Sequence, residues 1–197
     1  MNRMDKLAEL ISQNKGLITT RQVEAAGVPR KYLSLMTKDG KLDRLSQGIY
    51  LSPNAFEDRL YRFQLRSSSG IYSHETALFL HGLSDREPLT CMMTVPTGYN
   101  ASHFKNEPIK IFYIKNELRK LGESMVKTAF GRPVRCYDRE RTLCDLIRSR
   151  SQMEQTLVST AFKKYLSSKE KNVWLILSYA NKLGVQRIMR SYLEVLL

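Results

Sequence analysis

The chain has 197 residues, enough for one large domain or two small ones. Its composition, 42% hydrophobic and 26% charged, is that of a globular protein and excludes wholesale disorder. Apolar runs no longer than residues 173–177 exclude a membrane-spanning helix. The 32 Lys and Arg residues outnumber 19 Asp and Glu, for a net charge of +13, which points to a polyanionic partner such as DNA, RNA or an anionic surface. That surplus is spread along the chain, +4 over residues 1–56, +5 over 57–150 and +4 over 151–197, so no basic tail carries it. The first residues, Met1-Asn2-Arg3-Met4-Asp5-Lys6, lack the apolar core of an export signal. With Cys91, Cys136 and Cys144 forming no paired framework, a cytoplasmic chain with reduced thiols is expected.

Met4, Leu7, Ala8 and Ile11 recur at the spacing of an amphipathic helix that ends near Gly16. A short apolar step, Leu17-Ile18, precedes Thr19-Thr20-Arg21-Gln22, in which Thr19 and Gln22 form a capping box that starts a second helix. That helix turns Val23 and Ala26 inward and stops at Gly27. Pro29 then suits the first turn of a third helix over residues 29–38. Two short helices joined by a tight Gly-containing turn are the helix-turn-helix pattern. On the third helix, Tyr32, Leu35 and Met36 are spaced to pack inward, leaving Arg30, Lys31, Ser34, Thr37 and Lys38 outside. A recognition helix needs this division, although a solvated helix face would show it too. The segment after it favours DNA. Residues 41–45 alternate as a strand, Ser46-Gln47-Gly48 turns, and Ile49-Tyr50-Leu51 returns, with Pro53 as a stop. A hairpin in this place is the wing of a winged helix, with Lys41, Arg44 and Gln47 at or near its tip. Winged helices also dock proteins, and that alternative stays open at this point.

The remainder, residues 57–197, reads as a second, α+β domain with a small sheet and a helical C-terminus. Residues 54–66 are expected to be helical, with Phe56, Leu60 and Phe63 on one face, and Ser67-Ser68-Ser69-Gly70 is linker-like. Ser73 can cap a helix running to Leu80. Residues 89–95, 109–114, 125–130 and 134–137 read as strands. From Arg139 onward the apolar stripes are helical: Leu143, Leu146 and Ile147; Leu157, Ala161 and Phe162; residues 173–177; then Ile188, Tyr192 and Val195.

Catalytic chemistry finds no constellation here. His74 and His81 have no third partner at metal-site spacing, and Cys136 with Cys144 matches no zinc pattern. Phosphate-binding glycine loops and the Gly-x-Ser-x-Gly elbow are missing. The carboxylates a metal-dependent nuclease would cluster lie beside bases, as in Asp138-Arg139-Glu140-Arg141. No enzyme activity, cofactor or metal is therefore expected. The dense basic stretch Arg132, Arg135, Arg139, Arg141, Arg148 and Arg150 fits either a second polyanion surface, centred on Arg132, Arg135, Arg139 and Arg148, or internal ion pairs with Asp138, Glu140 and Asp145.

Three segments share a pattern: Leu45-Ser46-Gln47-Gly48-Ile49-Tyr50, Ser73-His74-Glu75-Thr76-Ala77-Leu78-Phe79-Leu80-His81-Gly82-Leu83, and Tyr137-x-Arg139-Glu140-Arg141-Thr142-Leu143-Cys144-Asp145-Leu146-Ile147. In order and spacing, over nearly the whole chain, they resemble the AbiEi family of antitoxins. The resemblance implies the antitoxin of a type IV toxin–antitoxin, abortive-infection system with a nucleotidyltransferase-like toxin as functional partner. It implies a winged helix that binds inverted repeats in the promoter and represses its own transcription, and a C-terminal domain serving antitoxicity and self-association on DNA. Direct toxin contact is not implied. From the winged-helix reading, Arg30, Lys31 and Ser34 are expected to enter the major groove with Lys38 beside them. Thr20 and Arg21 would hold phosphate, and Lys41, Arg44 and Gln47 would supply the wing contacts. The alternatives are an RNA-binding regulator using the basic second domain, a plain winged-helix regulator without a toxin, and a nuclease with an unrecognised metal site.

Overall fold

The structure, a computed structural model, describes residues 2–196. It divides into compact units of residues 1–62 and 63–197, against the boundary after residue 56 expected from sequence. The division falls inside a helix.

In the first unit, α1 (Arg3–Gln13) buries Leu7 and Ile11. Ala8, expected inward, is exposed, and Leu10 is half-buried on the packed side instead. Strand β1 (Leu17–Thr19) leads into α2 (Thr20–Ala25), and the capping box is present in full. The Thr19 hydroxyl accepts from the Gln22 amide at 3.2 Å, and the Gln22 side chain accepts from the Thr19 amide at 2.9 Å. Helix α3 (Lys31–Lys38) begins two residues later than expected, with Arg30 in the cap position. It buries Leu33 and Met36 rather than Leu35, which is 45% exposed. Strands β2 (Asp43–Ser46) and β3 (Ile49–Leu51) form the hairpin, and β1 completes an antiparallel sheet in the order β1-β3-β2. The connection is the two residues Gln47 and Gly48, and Gly48 has φ +72°, a conformation that tight hairpins reserve for glycine. Leu7, Ile11, Ile18, Val23, Val28, Leu33, Met36 and Leu42 make one core. Three helices and a three-stranded wing sheet around it are a winged helix-turn-helix.

Helix α4 covers Arg59–Arg66, shorter than the expected 54–66, with Asp58 accepting from the Tyr61 amide at 2.9 Å to start it. Leu60 and Phe63 are buried, but Phe56 precedes the helix and is 81% exposed. The second unit is built on a five-stranded sheet in the order β6-β5-β4-β8-β7. Its strands are β4 (Ile71–Tyr72), β5 (Cys91–Pro96), β6 (Ile109–Ile114), β7 (Glu123–Lys127) and β8 (Pro133–Tyr137). The central β4, two residues long, pairs parallel to β8 and antiparallel to β5. Helices α5 (His74–Leu80) and α6 (Asn116–Arg119) lie between strands, and α7 (Arg139–Arg148), α8 (Gln155–Leu166), α9 (Val173–Lys182) and α10 (Gln186–Leu196) follow them. The core gathers Leu78, Leu143, Leu146, Ile147, Phe162, Ile176, Met189 and Leu193. The last helix buries Met189 and Leu193, with the expected Ile188 and Tyr192 half-buried beside them, while Val195 is 84% exposed.

Residues 67–70 are no linker. Ser67 is fully buried, and its hydroxyl accepts from the Gly70 amide at 3.0 Å and from the Tyr99 hydroxyl at 2.9 Å. A Cβ on Gly70 would lie 2.1 Å from the Met93 sulfur. Small residues stand here because the chain passes tightly through the core. Among the described residues, no helix is long and apolar enough to cross a membrane.

Candidate nucleic-acid interface

Helix α3 presents Lys31, Ser34, Leu35 and Lys38 on adjoining turns, opposite Leu33 and Met36. The Lys31 ammonium sits 5.5 Å from the Tyr32 ring centroid, which holds it at the helix start without a carboxylate. Thr37 is spent on its own helix, its hydroxyl donating to the Leu33 carbonyl at 2.9 Å. Arg30, in the turn before α3, is paired through Nε with Glu24 of α2. This hydrogen bond raises the guanidinium pKa further above its ordinary value. The Arg30 side chain nevertheless stays 72% exposed.

The start of α2 and the wing are tied together. The Thr20 amide donates to the Gly48 carbonyl at 2.9 Å, and a Cβ on Gly48 would approach the Thr20 hydroxyl at 3.4 Å. Thr20 therefore stands against the wing turn, and the exposed Arg21 and Gln47 are the chain neighbours of this contact. Arg44 is exposed in β2 opposite Tyr50. Lys41, expected at or near the wing tip, lies at the other end: its amide donates to the Met36 carbonyl at 2.8 Å, closing the C-terminus of α3 next to Lys38. The chain reverses at Asp39-Gly40, so residue 41 belongs to the end of the helix and not to the strand. Among the described residues, Arg21, Lys31, Lys38, Lys41 and Arg44 form no ion pair.

Of the two readings of the arginines between 132 and 150, an open polyanion surface or internal ion pairs, the structure shows internal partners for several of them, including the pairs of Arg141 and Arg148 with Asp145. Arg141 is fully buried: Nε donates to Asp145 at 3.2 Å, and Nη1 to the carbonyls of Leu118 and Leu121 at 2.9 and 2.8 Å. Its guanidinium lies 4.1 Å from the Tyr137 ring centroid. Arg135 donates to the carbonyls of Ser68 and Ser67, and burial lowers its pKa. Arg139 pairs with Glu170 at 2.6 Å and Arg148 with Asp145 at 3.3 Å. Arg150 donates to the Ile147 carbonyl at 3.2 Å, and Arg132 is itself buried. For the buried Arg141 and the half-buried Arg135 low-dielectric surroundings make these acceptors obligatory partners, whereas Arg148 and Arg150 are exposed and Arg139 is partly so.

The carboxylates a nuclease would require are engaged as well. Asp138 caps α7, accepting from the Arg141 amide at 2.7 Å and from the Tyr179 hydroxyl at 3.0 Å, and burial raises its pKa. Glu140 accepts from the Tyr165 hydroxyl at 2.5 Å. His74 bridges the Ser73 and Ser149 hydroxyls at 2.9 and 3.0 Å and stacks on Phe112. Burial pushes its pKa down to about 4. Ser73 therefore occupies the cap position of α5 without capping it, because its hydroxyl serves His74 and Thr94. The His81 ring bonds to the Tyr137 carbonyl, 2.6 Å away, and burial lowers its pKa too. All three cysteines are buried and outside disulfides. Among the described residues, no three His, Cys, Asp or Glu side chains are grouped to hold a metal ion.

Residues 5–53, almost the whole winged helix, match the family of AbiEi antitoxin transcriptional regulators. The N-terminal unit is thus AbiEi-like. The motifs at 73–83 and 137–147 lie beyond that match. The crystal structure of the RV2827C protein from Mycobacterium tuberculosis resembles this chain over 98% of its length and 80% of the other, with a TM-score of 0.55. At 12% identity the likeness is one of fold. No curated protein sequence matches the chain.

Two features of the candidate interface are not evident from local sequence. Glu24 pairs with Arg30 across the helix-turn-helix turn, a contact no local pattern announces. Leu35 has the spacing of an inward residue, but the Leu33-x-x-Met36 pair fills that role and leaves it outside.

Proposed function

We propose that the chain is a cytoplasmic DNA-binding autorepressor and the antitoxin of a type IV toxin–antitoxin, abortive phage infection system, acting by binding and not by catalysis. The observation that carries the DNA part is the row of Lys31, Ser34 and Lys38 on α3, flanked by Lys41, by Arg44, and by Thr20, Arg21 and Gln47. A recognition helix supplies donors to base edges, and the flanking groups supply phosphate contacts that set its register. Inverted repeats would seat two copies, whose association on DNA falls to the second unit. The same unit would counter a nucleotidyltransferase-like toxin, with or without touching it; the family match, confined to residues 5–53, supports the regulator module and leaves this role to the resemblance of the second unit's motifs.

A gel shift with the chain's own upstream region tests the first part. Binding should be lost on combined Arg30, Lys31 and Arg44→Ala substitution, and unchanged binding would overturn the placement. Coexpression with a nucleotidyltransferase-like toxin tests the second: growth should be restored, and restoration should survive the triple substitution. The RNA-binding alternative relies on the arginines of residues 132–150, which meet acceptors within their own unit.

A further inference from the structure

We propose that Leu35 reads the methyl group of a thymine in the operator, making it a specificity-determining residue of the recognition helix. The inference rests on the DNA-binding reading above. Isolated exposed leucines are ordinary on protein surfaces, so exposure alone says nothing. Position decides here. Leu35 is 45% exposed, one turn after Lys31 and one turn before Lys38, with Ser34 beside it. Leu33 and Met36 already fill the core beneath α3, so the side chain of Leu35 is not needed there.

A branched apolar group among three hydrogen-bonding side chains has one apolar counterpart on the base edges of the major groove, the C5 methyl of thymine. Lysine and serine can be satisfied by phosphates or by several bases, and they discriminate weakly when phosphate is what they hold. Leu35 cannot bond a phosphate or a polar base edge. Facing the C4 amino group of cytosine it would remove water from a donor without replacing it. Its contact therefore favours thymine at one position in each half-site.

The test uses the full-length protein and its upstream duplex, with each thymine of the repeat replaced singly by uracil. Uracil keeps every hydrogen-bonding group and lacks the methyl. Fluorescence anisotropy at fixed salt should show one position per half-site where uracil weakens wild-type binding by about fourfold, the factor that burying one carbon is worth. Leu35→Ala should bind the thymine duplex more weakly by a similar or larger factor and be indifferent to uracil at that position. A wild-type protein insensitive to uracil everywhere overturns the proposal, as does a penalty that persists in Leu35→Ala. Failure of the wild type to bind the duplex even at low salt overturns the DNA reading itself, a result distinct from binding without methyl sensitivity.

Discussion

The two units carry positive charge in opposite ways. In residues 1–62 the cations of α2, α3 and the wing stand toward solvent, with Glu24–Arg30 as the pair among them. In residues 63–197 Arg132, Arg135 and Arg141 are wholly or partly buried, and Arg139, Arg148 and Arg150, though they reach solvent, bond to carbonyls and carboxylates of their own unit. A guanidinium can do either, because its five donors serve a phosphate or a set of backbone acceptors equally well. Formal charge therefore measures a partner's attraction only after the inward-facing arginines are set aside.

The sharpest way to break this contrast is to remove a buried arginine. Arg141→Leu leaves the Leu118 and Leu121 carbonyls without its donors and Asp145, 1% exposed, with Arg148 alone. Chemical denaturation should show a drop of about 3–5 kcal/mol, whereas Lys31→Ala should stay within about 0.5 kcal/mol. Equal effects would contradict the contrast.

Acidification should act on the second unit next. His74 titrates at about 4 when folded and near 6.5 when unfolded. Between those values the unfolded chain holds more protons, so stability rises with pH there. Lowering the pH from 7 to 4.5 should cost on the order of 3 kcal/mol at most, read as a falling melting temperature. His74→Gln should flatten that dependence, and a slope retained in the variant would point to other groups.

Smaller effects belong to the first unit. Thr19→Ala removes the capping-box hydroxyl and should cost about 1 kcal/mol, with promoter affinity falling as α2 frays. Glu24→Gln releases Arg30 and should leave stability within about 0.5 kcal/mol. It should steepen the salt dependence of DNA binding by up to about one unit. An unchanged slope would mean that Arg30 does not reach phosphate.

What is legible in the sequence is local. Thr19 and Gln22 are three residues apart, and the hairpin turn is two residues, so chemistry and spacing announce both. Ile109–Ile114 stands out as an apolar run of strand length. Strand β4, with two residues, is too short to carry a period. The Arg141–Asp145 pair, four residues apart, is legible as an internal ion pair, but the burial of Arg135 and Arg141 on the carbonyls of Ser67 and Leu118 is not, because these lie 68 and 23 residues away. Tyr32-Leu35-Met36 and Leu33-Met36 both have amphipathic spacing, and packing against the rest of the unit's core decides for Leu33 and Met36. The wing is legible, but the place of Lys41 is not: it depends on how α3 ends at Asp39-Gly40.

The central claim is that DNA is held by the first unit's solvent-facing cations and not by the second unit's arginines. The salt dependence of promoter binding in two substituted proteins tests it most directly. Replacing Lys31, Lys38 and Arg44 with Ala should lower the slope of log affinity against log salt by about one unit for each phosphate no longer neutralised. Replacing Arg139 and Arg148 with Gln should leave that slope unchanged. A slope that falls in the second protein and holds in the first would contradict the claim.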